Sequence, residues 1–575
     1  MQSEPFRSMT PHEQQQTLLR RWEQLEAARQ PMLPIWQEAG HYLMPHSGRF
    51  AGKLTPGTSG PRGRTAKRED KHIFDNTGSI AIRQTAAGLM AYASSPSRQW
   101  HRLGIRQPEI AKRHDVAGWL DTATDLQREA FRRAEIYRNI HQTYVQTLVY
   151  GTACGVMLPH RAKVMQLHMV PIGSFCLDID EDWEVDTMYR EIDMPLRQVV
   201  AEFGLEQCSK RVQQAWRERR FDQSVGVIHA IEPRPLQDLE VGSPRATSMP
   251  WRSVYFERDA EAKGLLRESG FRSFPVVAPR WEVEPGEVYC RSCPGIAALG
   301  DIKGLQHAYR RLSQAIDYKV RPPVELPTSL QNKDVDLLPG GKNFSDQQSQ
   351  AGKSRAMWEV NLQVADLAEL MEGMRERIRE TTLANLFYLI NSLNDTTQRT
   401  KAEIDERNSE RLHLLGPAQE NLQDELLRVI VELGFEYMVA AGAVPPPPPD
   451  LVGVEWNVDF ISSLAQAQRS ADIYGMERLI GLTGTLATID PAATDKLDVD
   501  RILDAYGERM GVPVDVLKAT EDVQKLRQAR QAALAAKEQV EALQGVGAAT
   551  NDLANSPSGE GTALADLQSS VFSAL

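Results

Sequence analysis

Cysteine is scarce: Cys154, Cys176, Cys208, Cys290 and Cys293 are the five in a chain of 575 residues. So few thiols at such uneven spacing cannot make a disulfide framework for a chain this long, which fits a reducing compartment. Long apolar runs are missing as well, and no stretch approaches the roughly 20 residues needed to cross a bilayer. The first 30 residues are polar and include Gln14, Gln15 and Gln16, unlike a secretory leader. These absences predict synthesis and assembly in a cytoplasm, with no membrane partner. A basic surplus is lacking too: 66 Lys and Arg stand against 77 Asp and Glu, a net charge of -11. The chain as a whole is therefore no electrostatic clamp for nucleic acid, and any DNA is met weakly or through local basic patches.

The usual catalytic signatures fail on spacing. Gly352-Lys353-Ser354 has the ending of a phosphate-binding loop, but that motif needs a glycine five positions before Gly352, where Gln347 stands. Asp178-Ile179-Asp180-Glu181-Asp182 begins like a calcium loop, yet the sixth position is Trp183 and the twelfth Tyr189, so an acidic turn that at most collects a divalent ion weakly is the better reading. Cys290-Arg291-Ser292-Cys293 is a lone CxxC with neither a second pair nor a strand-to-helix setting, which reads as two free thiols near a domain junction. The 12 histidines form no His-x-x-x-His pair, and there is no Gly-x-Ser-x-Gly elbow. The sequence thus predicts no enzyme, no cofactor and no metal.

What is present is the composition of an ordinary folded chain, 41% hydrophobic and 25% charged, and a length that suggests three to four domains. Thr10-Pro11-His12-Glu13 is a capping box with proline at the first helical position, opening a helix that carries Leu18, Leu19, Trp22 and Leu25. Between 47 and 71 lies a Gly/Pro-rich loop with seven Lys and Arg; a solvated face is the bland reading, contact with DNA or an acidic neighbour the alternative. Helical patterns follow over 79–93, 108–135 and 136–150, with a strand over 100–105. Period-two stretches mark strands over 156–159, 164–170, 175–179 and 185–192, then 226–232, 251–257 and 270–281, with helices over 196–203 and 206–220 between the two groups. The first 290 residues read as a mixed α and β body.

Two long helices are appended to it. The first, over 298–321, carries Ile302, Leu305, Tyr309, Leu312 and Ile316 on one stripe and is stopped by Pro322-Pro323; at 1.5 Å per residue it is about 35 Å long, a strut. A turn-rich insert follows. The second helix stripes through Leu370, Met374, Ile378 and Thr382. The polar run 391–397 breaks it, and a third helix over 401–440 is expected to kink at Gly416-Pro417. Pro445 to Pro449 reads as a stiff spacer rather than a docking ligand. Helical patterns recur over 460–482, 498–511 and 522–543, and a tail without periodicity begins near Gly545.

The order Gly295-Ile296-Ala297-Ala298-Leu299-Gly300-Asp301-Ile302-Lys303, Pro322-Pro323, Leu338-Pro339-Gly340-Gly341, Thr400-Lys401-Ala402-Glu403-Ile404, Leu415-Gly416-Pro417, Leu422-Gln423-Asp424-Glu425-Leu426 and the polyproline run resembles the portal proteins, or head-to-tail connectors, of short-tailed bacteriophages. The likeness covers most of the chain up to about residue 450, including Ala87-Gly88-Leu89-Met90 and Ser95-Pro96-Ser97-Arg98. It departs at Cys290-Arg291-Ser292-Cys293, where such connectors carry a Gly-Arg-Ser or Gly-Arg-Gly turn. The resemblance implies an α+β, predominantly helical portal fold assembling as a dodecameric ring with a central channel for DNA. It implies a wing over 1–297, stem helices over 298–321 and 367–390, a clip over 322–366 and a tunnel loop over 391–400. A kinked wing helix with its linker would span 401–460, a helical crown 461–545, and a tail 546–575.

The resemblance further implies sequence-independent contact with double-stranded DNA. The terminase large subunit, tail adaptor or nozzle proteins, and major capsid and scaffolding proteins would be the other partners, with the protein residing in the virion at a capsid vertex. Its tunnel-loop position carries Asn394, Asp395, Thr396, Thr397, Gln398, Arg399 and Lys401. Lys303, His307, Arg310, Arg311, Arg375, Arg377 and Arg379 are candidates to face the channel, each with an ion pair as its plain alternative. Lys333, Asp334, Asp336 and Lys342 are candidates for docking at the clip. A channel through which DNA slides cannot hold each phosphate tightly, and an acidic chain with scattered cations meets that condition. The competing readings are a packaging-associated enzyme, an ATPase or nuclease, and a helical interaction scaffold without a channel.

Overall fold

A computed structural model describes residues 6–45, 72–111, 113–239, 245–259, 264–320, 364–386 and 416–451, with short pieces at 324–325, 355–356, 453–454, 456–460, 478–483, 485, 500–503, 506 and 523–537. Two compact units divide the chain, one over 1–106, 122–447 and 454–464, the other over 107–121, 448–453 and 465–575. The basic loop 47–71, the fragment Gly352-Lys353-Ser354, the stretch 401–415 and the tail after Gly545 lie outside the described residues.

The larger unit begins with α1 (Pro11–Arg29), whose first turn closes as its capping box dictates: the Thr10 hydroxyl accepts from the Glu13 amide at 3.4 Å and the Glu13 carboxylate accepts from the Thr10 amide at 2.8 Å. Leu18, Trp22 and Leu25, spaced for one helical face, bury against Cys176, Tyr189, Ile228, Val254 and Phe256. α2 (Met32–Leu43) seats Trp36 without solvent exposure, its indole N–H donating to the Tyr150 carbonyl at 3.0 Å. Next along the chain come α3 (Thr77–Ala93), β1 (His101–Ile105), α4 (Pro108–Ala111), α5 (His114–Arg133) and α6 (Ile136–Tyr150), of which α4 and the start of α5, up to Asp121, belong to the smaller unit. The helix expected over 108–135 is thus two helices, and Glu135, at a left-handed φ of 56°, makes the turn into α6.

Eight strands follow: β2 (Gly155–His160), β3 (Val164–Met169), β4 (Phe175–Ile179), β5 (Val185–Pro195), β6 (Ser224–Pro233), β7 (Trp251–Glu257), β8 (Arg267–Phe271) and β9 (Val276–Val277). β4 to β8 form a five-stranded antiparallel sheet in sequence order, and β3-β2-β9 a three-stranded one. Alternation of side chains gives the larger sheet two buried faces: Ile228 and Ala230 meet α1, while Val227 and Tyr255 meet α7 (Leu196–Phe203) and α8 (Lys210–Arg217), inserted between β5 and β6. α8 is shorter than the expected 206–220 because Ser209 caps it, accepting from the Val212 amide, while its hydroxyl donates to buried Glu257.

The rest of the larger unit is α9 (Pro294–Ala297), α10 (Leu299–Val320), the antiparallel pair β10 (Val324–Glu325) and β11 (Arg355–Ala356), α11 (Val364–Thr381), α12 (Gly416–Leu422), a π-helical segment (Gln423–Arg428), α13 (Val429–Ala440) and β12 (Trp456–Phe460). The wider π turn lies between the Gly416-Pro417 start and the buried run of α13. From it Glu425 reaches Arg280, whose backbone amide donates to one carboxylate oxygen at 2.7 Å and whose Nε donates to the other at 2.9 Å. The same guanidinium donates to the Trp183 carbonyl at 2.8 Å. β12 corrects the sequence reading, which starts a helix at Phe460: the five residues pair antiparallel with β1, His101 opposite Phe460. In the smaller unit residues 478–483, 500–503 and 523–537 are helical, and Arg527 pairs with Asp500 at 2.6 Å.

Candidate functional site: the anchored helix pair

α10 runs 22 residues, about 33 Å, and packs along α11; the Gly304 position faces Met374 at close range. Its stripe changes character along its length. Ile302 and Leu305 are 2% and 1% exposed, whereas Ile316 and Val320 further along are 44% and 60% exposed. On α11 the buried line is Met371 and Ile378, continued by Thr382 just past its end, while Leu370, expected on that line, is 50% exposed. α11 breaks after Thr381, where Leu383 takes the left-handed region at φ 62° and interrupts helical hydrogen bonding, before residues 384–386 turn helical again; 387–390 lie outside the described residues.

The buried end of the pair is fixed by polar chemistry. The Gln306 side chain accepts from the amides of Phe74 (2.7 Å) and Asp75 (3.0 Å) and donates to the Asp75 carbonyl (2.8 Å), matching backbone groups that have no helical partner there. The Asp75 carboxylate accepts from Arg375 Nε and Nη2 at 3.0 and 2.8 Å and from the Thr77 amide and hydroxyl. Burial pushes the Asp75 pKa up, but the Thr77 bonds and the Arg375 guanidinium outweigh it and hold the group below its ordinary range. The Thr85 hydroxyl donates to the Thr382 carbonyl at 2.7 Å, tying α3 to the end of α11. Close approach completes the joint: a Cβ at Gly78 would meet Ile302 at 3.0 Å.

The channel candidates fall into two groups. Arg375 joins Asp75 and Glu372, Arg377 joins Asp301 on α10 at 2.9 Å, Arg379 joins Glu376 and Glu372, and Lys303 joins Glu38. Arg375, Arg377 and Lys303 thus tie the helices to the turn ahead of α3, to each other and to α2, whereas both partners of Arg379 lie on α11 itself. His307, Arg310 and Arg311 are exposed and pair with no carboxylate among the described residues. The tunnel-loop residues Asn394, Asp395, Thr396, Thr397, Gln398, Arg399 and Lys401 and the clip residues Lys333, Asp334, Asp336 and Lys342 lie outside the described residues. Sequence reasoning missed the Gln306–Asp75–Arg375 joint; its one local signal is Asp75-Asn76-Thr77-Gly78, a turn ahead of α3 whose acceptor meets a cation 300 positions later.

Neither of the imitated active sites within the described residues assembles one. Cys290 and Cys293 are free and buried, and burial pushes both thiols up, away from the thiolate that redox or metal chemistry needs. In the acidic turn Asp178 pairs with Arg21, and Asp180 accepts from the amides of Asp182 and Glu184, both at 2.9 Å. Among the described residues no group of His, Cys, Asp and Glu is arranged to hold a metal ion, and no helix is long and apolar enough to cross a membrane.

Comparison with known proteins finds relatives over most of the chain. The sequence profile of a family described as "Bacteriophage head to tail connecting protein" matches residues 15–517. The chain is 38% identical over 523 residues to the "Probable portal protein" of Bordetella phage BPP-1, covering 91% of this chain and 92% of the relative. It is 34% identical over 517 residues to the "Portal protein" of Salmonella phage epsilon15, covering 90% and 91%. A chain in the solved virion of a native gene transfer agent particle aligns with 64% of this chain and 87% of its own length, at 12% identity and a TM-score of 0.29, too low to carry an argument.

Proposed function

This chain belongs to the bacteriophage head-to-tail connecting protein family, and from that premise we propose that it is the portal of a short-tailed phage: a non-catalytic ring at one capsid vertex through which double-stranded DNA is packaged and ejected. The single observation that carries the reading is the half-anchored strut. α10 and α11 are welded to the body at one end, and at the other they leave Ile316, Val320 and Leu370 open to solvent. Apolar area costs roughly 25 cal/mol per Å² left in water, so such a stripe is stable only when covered. Side-by-side copies closing around a hole cover it with no other protein.

In this reading the exposed cations His307, Arg310 and Arg311 meet the DNA backbone weakly, and 391–400 forms the tunnel loop. The 322–366 insert docks the terminase motor during packaging and the tail adaptor afterwards, and capsid and scaffolding proteins surround the wing. A dodecamer is the expected count. Native mass measurement and electron microscopy of the full chain test this: rings with a central hole are expected, and Ile316→Asp with Val320→Asp should leave folded monomers. A wild-type chain that stays monomeric, or a double variant that still forms rings, overturns the reading.

A further inference from the structure

We propose that the basic turn between α5 and α6, with the β2–β3 hairpin tip beside it, docks the acidic β4–β5 hairpin tip of a second copy of this chain. The inference rests on the ring reading and names a contact within that ring. Arg132 and Arg133 end α5 and Arg138 opens α6; Lys163 joins them by pairing with Glu135 at 3.8 Å, and Arg161 lies two residues before it at the hairpin tip. Two carboxylates serve this surface. Glu129 is shared by Arg132 and Arg133, at 3.6 and 3.0 Å, and Glu135 by Arg138 and Lys163. Five cations against two carboxylates leave a surplus of three positive charges, on a chain whose total is -11. Arg133 and Arg138 are also among the most open ion-paired side chains, 74% and 80% exposed.

The β4–β5 tip is its complement. Asp180 spends its carboxylate on the turn, accepting from two backbone amides. Glu181, Asp182 and Glu184 are exposed and pair with no cation among the described residues, so this tip is net negative where the other surface is net positive. Trp183 stands among them 48% exposed, an indole face of the kind a guanidinium stacks on. The two surfaces cannot neutralise each other within one chain. The Trp183 carbonyl is held by Arg280, which bridges to Thr152 at the root of β2. The basic tip is at the other end of that strand, eight residues on, roughly 26 Å at 3.3 Å per residue. A head-to-tail contact repeated around a ring requires two different, complementary surfaces on each copy, and these two meet that requirement.

Charge reversal in the full chain tests the pairing. Glu181→Lys with Asp182→Lys, and separately Arg133→Glu with Arg138→Glu, are each expected to raise the concentration needed for ring assembly at least tenfold, by native mass measurement and light scattering. Joining all four changes should bring it back to within about threefold of wild type. Either pair assembling like wild type, or the fourfold variant assembling no better than the worse pair, overturns the proposal while leaving the ring reading intact. A wild-type chain that forms no rings sinks both. If Arg133→Glu with Arg138→Glu leaves ring assembly unchanged but abolishes fluorescence-detected binding of a 30-base-pair duplex, the surface belongs to nucleic acid and the proposal is wrong.

Discussion

Removing the Arg280 guanidinium should loosen two parts of the body at once. Its side chain is 2% exposed and that of Glu425 22% exposed, and the same group holds the Trp183 carbonyl. Taking one partner from a buried ion pair costs about 3–5 kcal/mol, mostly because the other charge is left uncompensated. Glu425 has some access to water and can take up a proton, so Arg280→Met belongs at the lower end, about 3 kcal/mol. At 1.4 kcal/mol per factor of ten, that is roughly a hundredfold faster amide exchange where opening of this joint limits exchange. Hydrogen exchange read by mass spectrometry over 176–190 and 423–440 should show it.

Burial already pushes the Glu425 pKa up, with Arg280 pulling it down without prevailing. In the Arg280→Met variant the group moves higher still, so the penalty is full at neutral pH and shrinks as pH falls and the carboxyl takes up its proton. Arg280→Met with Glu425→Met should recover most of the protection, since no orphan charge remains. Exchange in Arg280→Met within threefold of wild type, or a double variant no better protected than the single, would refute the reasoning.

Two further outcomes follow from burial and from space. His101 is fully buried and desolvation lowers its pKa to about 3; folded chains therefore bind fewer protons at that site than unfolded ones, and stability is kept above the ordinary histidine pKa of about 6.5 and lost below it, by about 1.4 kcal/mol per pH unit, down to the folded value. Urea midpoints at pH 7 and 5 should differ less in His101→Gln than in wild type. Among the glycines, Gly300→Ala on α10 meets nothing within 4 Å and should stabilise by about 0.5–1 kcal/mol through helix propensity. Gly295→Ala puts a Cβ 2.8 Å from the Leu148 carbonyl oxygen and should raise the unfolded fraction in the same urea titration.

Local signals were legible in the sequence and long-range ones were not. The Thr10 capping box, the start of α10 after Ala298 and the alternating strands of the larger sheet are written in residues a few positions apart. β12 is invisible that way, because Trp456 to Phe460 is five residues after a polyproline run, and its partner β1 lies more than 350 positions earlier. The end of α11 depended on Leu383 adopting a left-handed backbone, which leucine's side chain does not announce. The stripe on α10 was readable as a stripe, but where it passes from core to solvent depends on which neighbours stop, and that is a tertiary fact. The cations on the helix pair divide for the same reason: Glu376 beside Arg379 is a three-residue spacing, whereas Asp75 for Arg375 is not.

A rod clamped at one end and loose at the other is a cantilever. From Ala308 to Val320 the overhang is about 18 Å, and a sideways push on its tip becomes torque at the Gln306–Asp75–Arg375 joint. That joint is built of directional hydrogen bonds, which yield abruptly rather than stretch, so small loads bend the overhang elastically and larger ones unlatch it. The sequence that lies between the two rods thus has a mechanical line into the body of the protein, with a breaking point set by three side chains.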